Sequence, residues 1–168
     1  TCLGRHGHIN VVTALSKSCN YFFYGLGRRI GIDTLNEYCR SFGLGISTGL
    51  EIPEAAGVLA GKEYRKSIGS YWVDGDTLQA AIGQSDNLFT PLQMAVYTST
   101  IANNGTRYKA SIIRKVMDYA LTGTVSQTEP VVLNQSNIPQ SAYDVVKQGM
   151  LKVTTEGTAA ALSNYPID

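Results

Sequence analysis

The residues with the most chemical potential lie close together near the start of the chain, in Ser16-Lys17-Ser18-Cys19-Asn20. An amine, two hydroxyls and a carboxamide ahead of the apolar pair Phe22-Phe23 are groups that can line a cleft. There an Asn amide can hold a substrate carbonyl and a Ser hydroxyl can pass a proton. The same residue types also suit capping and solvation in a first helical turn, so the pentapeptide alone leaves both readings open. Other chemistries find less support. There is no HExxH, no glycine-rich phosphate loop with its following Lys, and no carboxylate spacing that singles out an acid and a base. Both histidines, His6 and His8, fall in the first eight residues, so a Ser-His-Asp triad would have to take its base from a terminus. Cys2, His6 and His8 could gather around a metal, but the sequence supplies no fourth ligand, and they read as an ordinary terminal segment. The three cysteines, Cys2, Cys19 and Cys39, show no CxxC spacing and cannot all pair within one chain. No metal and no cofactor is expected.

The elements that must position these groups are mostly helical. Val11 to Gly31 reads as one helix with large residues on several sides (Leu15, Cys19, Phe22, Phe23, Leu26, Ile30), which predicts that it is largely buried. Asp33 is a good N-cap for a second helix striped by Leu35, Tyr38, Cys39 and Phe42 and stopped at Gly43. Phe42 to Gly61 reads as a long loop with at most a short strand around Leu50 to Ile52. Asp76 or Thr77 caps a short helix through Ile82. Thr90 and Pro91 then open the best-punctuated helix, which ends at Asn103-Asn104-Gly105. Ala110 to Tyr119 alternates like a strand, with Pro130 to Leu133 a shorter partner. Ser141 caps a last helix whose apolar face is Ala142, Val145, Val146, Gly149, Met150 and Val153.

The 168 residues carry a net charge of +1, are 43% hydrophobic and only 16% charged. That balance argues against charge-driven disorder and against nucleic-acid binding through bulk charge. No stretch approaches the length of a membrane span, and Thr1-Cys2-Leu3-Gly4 resembles no leader, so the chain reads as part of something longer. Helices first and one or two strands late predict an α-rich domain, or the α-rich lobe of an α+β protein whose main sheet lies outside the chain.

Ala14 through Phe23 closely resembles the Ser-Xaa-Asn motif of the penicillin-binding proteins, in the Ser-Cys-Asn form of class B transpeptidases. Further segments resemble that family in the same order: Phe42-Gly43-Leu44-Gly45 through Ile52-Pro53-Glu54 and Gly57, Ala81-Ile82-Gly83-Gln84 with Thr90-Pro91-Leu92-Gln93-Met94-Ala95, Ala102-Asn103-Asn104-Gly105, and Lys147 to Ala159 with Glu156-Gly157-Thr158-Ala159. The likeness implies the β-lactamase/transpeptidase-like α+β fold, and residues 1–168 as a partial transpeptidase domain. The family's chemistry needs Ser-Xaa-Xaa-Lys, Ser-Xaa-Asn and Lys-Thr-Gly. No Lys here has Ser three positions before it, and none is followed by Thr-Gly or Ser-Gly.

By the resemblance, Ser18 passes a proton during acylation and Asn20 hydrogen-bonds the acyl-side amide of a peptide stem or a β-lactam; these two are the implied catalytic positions. The implied parent is a membrane-anchored peptidoglycan D,D-transpeptidase on the extracytoplasmic face of the bacterial membrane. It would act on peptidoglycan stem peptides through a serine acyl-enzyme and bind penicillin covalently, with no cofactor and no nucleic-acid partner. The isolated piece is expected to be inert. Apolar surface left open where the rest of the fold would pack is expected to favour self-association. The competing reading is a non-enzymatic β-lactam-sensing or peptidoglycan-binding module of the same fold.

Overall fold

The structure, a computed structural model, describes Cys2 and residues 4–164. In chain order its elements are α1 (Val11–Ser16), α2 (Asn20–Ser41), α3 (Lys62–Ser67), α4 (Asp74–Ala80), α5 (Pro91–Ala102), β1 (Thr106–Tyr108), β2 (Lys115–Met117), β3 (Thr124–Gln127), β4 (Val132–Gln135), α6 (Gln140–Thr155) and a 3-10 turn, Ala160–Asn164. They form two units: Thr1–Tyr38, Leu59–Asn87 and Ile138–Asp168 in one, Cys39–Val58 and Leu88–Asn137 in the other. The α+β expectation holds, with helices dominating the first unit and the strands confined to the second. Among the described residues, no helix is long and apolar enough to cross a membrane.

In the first unit the single helix expected over Val11 to Gly31 is two. Asn10 caps α1 by accepting the Thr13 N–H at 2.9 Å. The helix then stops because Ser18 adopts a left-handed φ of 49°. Ser18 and Cys19 N–H groups turn back onto the carbonyls of Leu15 and Ala14, at 3.0 and 2.9 Å, as at a helix C-terminus. Apolar spacing runs through this break unchanged, which is why the spacing hid it. α2 then kinks at Gly31 (φ 74°), so the helix expected from Asp33 is its second half. Asp33 lies inside that half with its carboxylate 2.7 Å from Lys62 Nζ; it is not the cap. The predicted burial is also corrected, because Tyr21, Leu26 and Ile30 are 81%, 42% and 38% exposed.

The core of this unit gathers Ile32, Ala60 and Ala80, with Leu35 and Trp72 against them. Gly27 allows α2 to approach Ala81, whose side chain would collide with any Cβ there. Ala60 is fully buried, and both its backbone groups bond to asparagines: Asn36 Nδ2 donates to its carbonyl, and its N–H donates to Asn87 Oδ1, each at 2.9 Å. α3 has no counterpart in the sequence reading. α4 begins before Asp76, whose Oδ2 accepts the Val73 N–H at 3.0 Å. At α6, Pro139 occupies the cap position expected of Ser141. Its buried residues are Tyr143 and Gly149, and Gly149 makes room for Leu15 of α1; Ala142, Val145 and Met150, expected inward, are exposed.

In the second unit α5 starts as predicted. The Thr90 hydroxyl accepts the Gln93 N–H at 3.1 Å, Gln93 Oε1 accepts the Thr90 N–H at 3.0 Å, and Pro91 fills the first turn. Gln93 is 0% exposed, and its Nε2 donates to the carbonyls of Ile46 and Ala56, each at 2.7 Å. The long loop is further held by Glu54. Its carboxylate accepts from the Ser47 and Thr48 hydroxyls at 2.6 and 2.8 Å and from the N–H groups of Gly49 and Leu50 at 2.8 and 3.1 Å. Of the strand expected over Ala110 to Tyr119 only β2 forms, paired antiparallel with β3. β4 pairs instead with β1.

Candidate functional site

The turn between α1 and α2 presents Ser16 to Asn20 in alternation. Ser16 is 3% exposed and its Oγ donates to the Lys152 carbonyl at 3.3 Å, so it is a tie to α6. Lys17 faces outward and its N–H closes α1 onto the Thr13 carbonyl. Ser18, half-buried, aims its hydroxyl at Thr158, with Oγ and Oγ1 2.9 Å apart. Cys19 turns inward at 4% exposure. Asn20 is half-buried and begins α2. The turn thus brings the two expected site residues, Ser18 and Asn20, to either side of a buried cysteine.

What holds the turn comes from the far end of the chain. Beyond α6 the Thr158 N–H donates to the Ser16 carbonyl at 3.2 Å. Gly157 lets the segment pass so close that a Cβ there would strike the Ser16 carbonyl oxygen, and would lie 2.8 Å from both the Lys152 carbonyl oxygen and Val153 Cα. Glu156 pairs with Lys152 at 2.6 Å, and that bond, followed by the charges of Lys152 and Lys17, holds its carboxyl below the ordinary range. Sequence reasoning placed Glu156-Gly157-Thr158 in the resemblance without giving it a role. The usable signal was the glycine directly after a helix and before a hydroxyl residue.

The terminal segment also meets this turn. Cys2 Sγ lies 3.7 Å from Cys19 Sγ and 3.4 Å from His6 Nδ1, and the three ligand atoms all lie within 4.8 Å of one another. A hydrogen bond with the Gly4 backbone leads the contributions that hold the Cys2 thiol below its ordinary pKa. Two thiols and an imidazole are a soft donor set of the kind zinc takes, one short of a tetrahedral shell. The structure therefore groups Cys19 with Cys2 and His6, where the sequence offered His8. His8 instead lines a groove of about 420 Å³ with Cys19, Phe22, Leu26 and Arg29.

A mixed fold with two two-stranded sheets, and a Ser-Xaa-Asn turn between two helices, describe a transpeptidase-like chain, and comparison with known proteins gives that class its family. Residues 3–168 match the penicillin binding protein transpeptidase domain. The chain is similar to penicillin-binding protein 2A of Bacillus subtilis, 33% identical over 92% of this chain and 23% of that one. It is also similar to peptidoglycan D,D-transpeptidase MrdA of Haemophilus influenzae, 32% identical over 96% of this chain and 26% of that one. Among solved structures it resembles penicillin-binding protein PBP2 of Helicobacter pylori, 28% identical, TM-score 0.78, covering 95% of this chain and 29% of that one; the same protein has been solved in complex with MreC. The chain belongs to the penicillin-binding protein transpeptidase family, in its class B, PBP2/MrdA-like branch. It spans about a quarter of the length of these relatives.

Proposed function

We propose that the chain is the central part of a peptidoglycan D,D-transpeptidase, carrying the second of the three motifs that a serine acyl-enzyme mechanism requires. The observation that carries this reading is the Ser18-Cys19-Asn20 turn, left-handed at Ser18, with a hydroxyl and a carboxamide set on either side of an inward cysteine. Ser18 passes the proton from the nucleophile toward the leaving amine, and Asn20 donates its amide hydrogens to the carbonyl of the acyl-side peptide. The nucleophilic Ser and its Lys belong to a Ser-Xaa-Xaa-Lys segment, and the anionic end of the substrate to a Lys-Thr-Gly strand. Neither sequence occurs among these 168 residues, so the chain by itself forms no acyl-enzyme.

The whole protein then works on peptidoglycan stem peptides at the outer face of the bacterial membrane, held there by an anchor, and is acylated by penicillin. The exposed Tyr21, Leu26 and Ile30 of α2 support the reading that the isolated chain leaves apolar surface open and self-associates.

Intact mass after incubation with a β-lactam tests the assignment. The expected result is one covalent adduct on the full-length protein, none on the 168-residue chain, and acylation slowed at least about a hundredfold by Ser18→Ala and by Asn20→Ala. An adduct on the short chain, or full rates in both variants, overturns it.

A further inference from the structure

We infer that Thr158 is a positioning residue for the Ser18 hydroxyl, an inference that rests on the function proposed for Ser18. Four observations meet at this contact. Ser18 is held in a left-handed conformation that no glycine relieves, and that conformation aims its Oγ at Thr158 Oγ1, 2.9 Å away. Thr158 is itself fixed, because its N–H donates to the carbonyl of Ser16 in the same turn at 3.2 Å. Gly157 gives the segment its close approach, since any Cβ there would meet backbone on two sides. The Ser16 hydroxyl, bonded to the Lys152 carbonyl at 3.3 Å, ties the other end of the turn to the same helix.

The chemistry follows from what a hydroxyl can do. A Ser that passes a proton must accept one and give one in turn, so its rotor must present a lone pair to one neighbour and its hydrogen to the other. A free hydroxyl samples three staggered positions, of which one is productive. Thr158 restricts the choice. Donating to one lone pair of Ser18 Oγ, it leaves the second lone pair for the incoming proton and the Ser18 hydrogen for the leaving group, so that one proton is gained as another is given up. Thr158 touches Ser18 and is not assigned contact with substrate, so it acts through Ser18 alone.

The experiment is the second-order rate constant for acylation by a β-lactam, measured against pH in the full-length protein for wild type, Thr158→Val, Thr158→Ser, Ser18→Ala and the double variant. Thr158→Val is expected to slow acylation about tenfold and to change the pH profile while leaving the melting temperature in place. Thr158→Ser keeps the hydroxyl and is expected to stay within about twofold of wild type. In the Ser18→Ala background Thr158→Val is expected to have no further effect, because the two act as a unit. Equal losses from Thr158→Val with and without Ser18, or loss in Thr158→Ser as large as in Thr158→Val, overturn the inference and make Thr158 a structural brace. If Thr158→Val does not fold, Thr158→Ala takes its place in the same cycle. A wild-type protein that is not acylated brings down the proposed function itself, whereas an acylated wild type indifferent to Thr158→Val brings down only the inference.

Discussion

Two irregular segments of this chain are held by side-chain hydrogen bonds, and they are held in opposite ways. The loop from Ile46 to Gly57 hangs on Gln93, which is fully buried and has both ends of its amide satisfied; Thr48, equally buried, gives its hydroxyl to Glu54. The turn at Ser18 keeps its buried bonds to backbone, through Ser16, and offers its remaining hydroxyl to an exposed partner, Thr158. A buried polar group with its donors and acceptor engaged is costly to move, since moving it leaves desolvated orphans. A hydroxyl bonded once, at an exposed contact, can still change partners. The polar residues of the loop are therefore read as structure, and the Ser18 hydroxyl of the turn as a group able to do chemistry.

The largest effect expected from this distinction falls on the loop. Gln93→Leu fills similar volume but strands the carbonyls of Ile46 and Ala56 and the N–H of Thr90, at a cost of about 3 to 5 kcal/mol. Hydrogen exchange over Ile46 to Gly57 in the full-length protein should show protection falling by more than about a hundredfold, while the segment around Ser18 is unaffected. Spread of the loss to the Ser18 turn would erase the contrast.

A matched pair of glycines sharpens it. Gly57 has φ 67°, and a Cβ would sit 2.5 Å from the Leu88 carbonyl oxygen and 2.7 Å from Gln93 Oε1; at Gly157 the obstacle is the backbone of Ser16, Lys152 and Val153. Each Ala substitution should cost about 2 to 3 kcal/mol locally. Gly57→Ala should leave β-lactam acylation within about threefold of wild type, and Gly157→Ala should slow it by more than about tenfold through displacement of Thr158 and Ser18. Acylation rates of the two variants at a temperature where both are folded decide the matter.

The sequence made the punctuated parts of both regions visible and concealed the parts that depend on distant residues. Thr90, Pro91 and Gln93 announce the start of α5 because a capping box is a local device. Gly43 announces the end of α2, where its N–H returns to the Arg40 carbonyl at φ 94°. The break at Ser18 was concealed because a serine, not a glycine, takes the left-handed position, stabilised by a segment 140 residues away. For the same reason Ser18 and Asn20 were legible as a motif and Thr158 was not. Cys19 was readable as apolar, while its meeting with Cys2 and His6 required the terminal segment to fold back. The β1 to β4 pairing was missed because both strands are short, and neither shows the alternation that Ala110 to Tyr119 displays and fails to use.

Acid should loosen the loop before the turn. Hydrogen bonds led by Ser47 hold the Glu54 carboxyl at about 2, below its ordinary 4.5. A group with a depressed folded pKa contributes stability that is complete above the ordinary value and lost as pH falls through the lowered one. Cleavage of the Leu50 to Ile52 segment by pepsin should therefore rise between pH 4.5 and 2 faster in wild type than in Glu54→Gln, which cannot titrate and begins from a looser loop. Parallel profiles in the two proteins would mean that the carboxylate is not what braces the loop.

The smallest effect on stability, and the one with most to say about function, belongs to Ser18. Ser18, at φ 49°, takes the left-handed region that favours glycine, as Ser85, Asn104 and Leu121 also do, and a non-glycine residue there carries strain. Ser18→Gly removes that strain at the cost of extra freedom in the unfolded chain, so the net change should be within about 0.5 kcal/mol of zero. Acylation should nevertheless fall about a hundredfold with the hydroxyl gone. Melting temperature and acylation rate measured on the same full-length preparation separate the two readings: an unchanged melt with a collapsed rate marks strain kept for chemistry. A destabilised protein would instead show that the Ser18 hydroxyl belongs with Gln93 among the groups that fix structure.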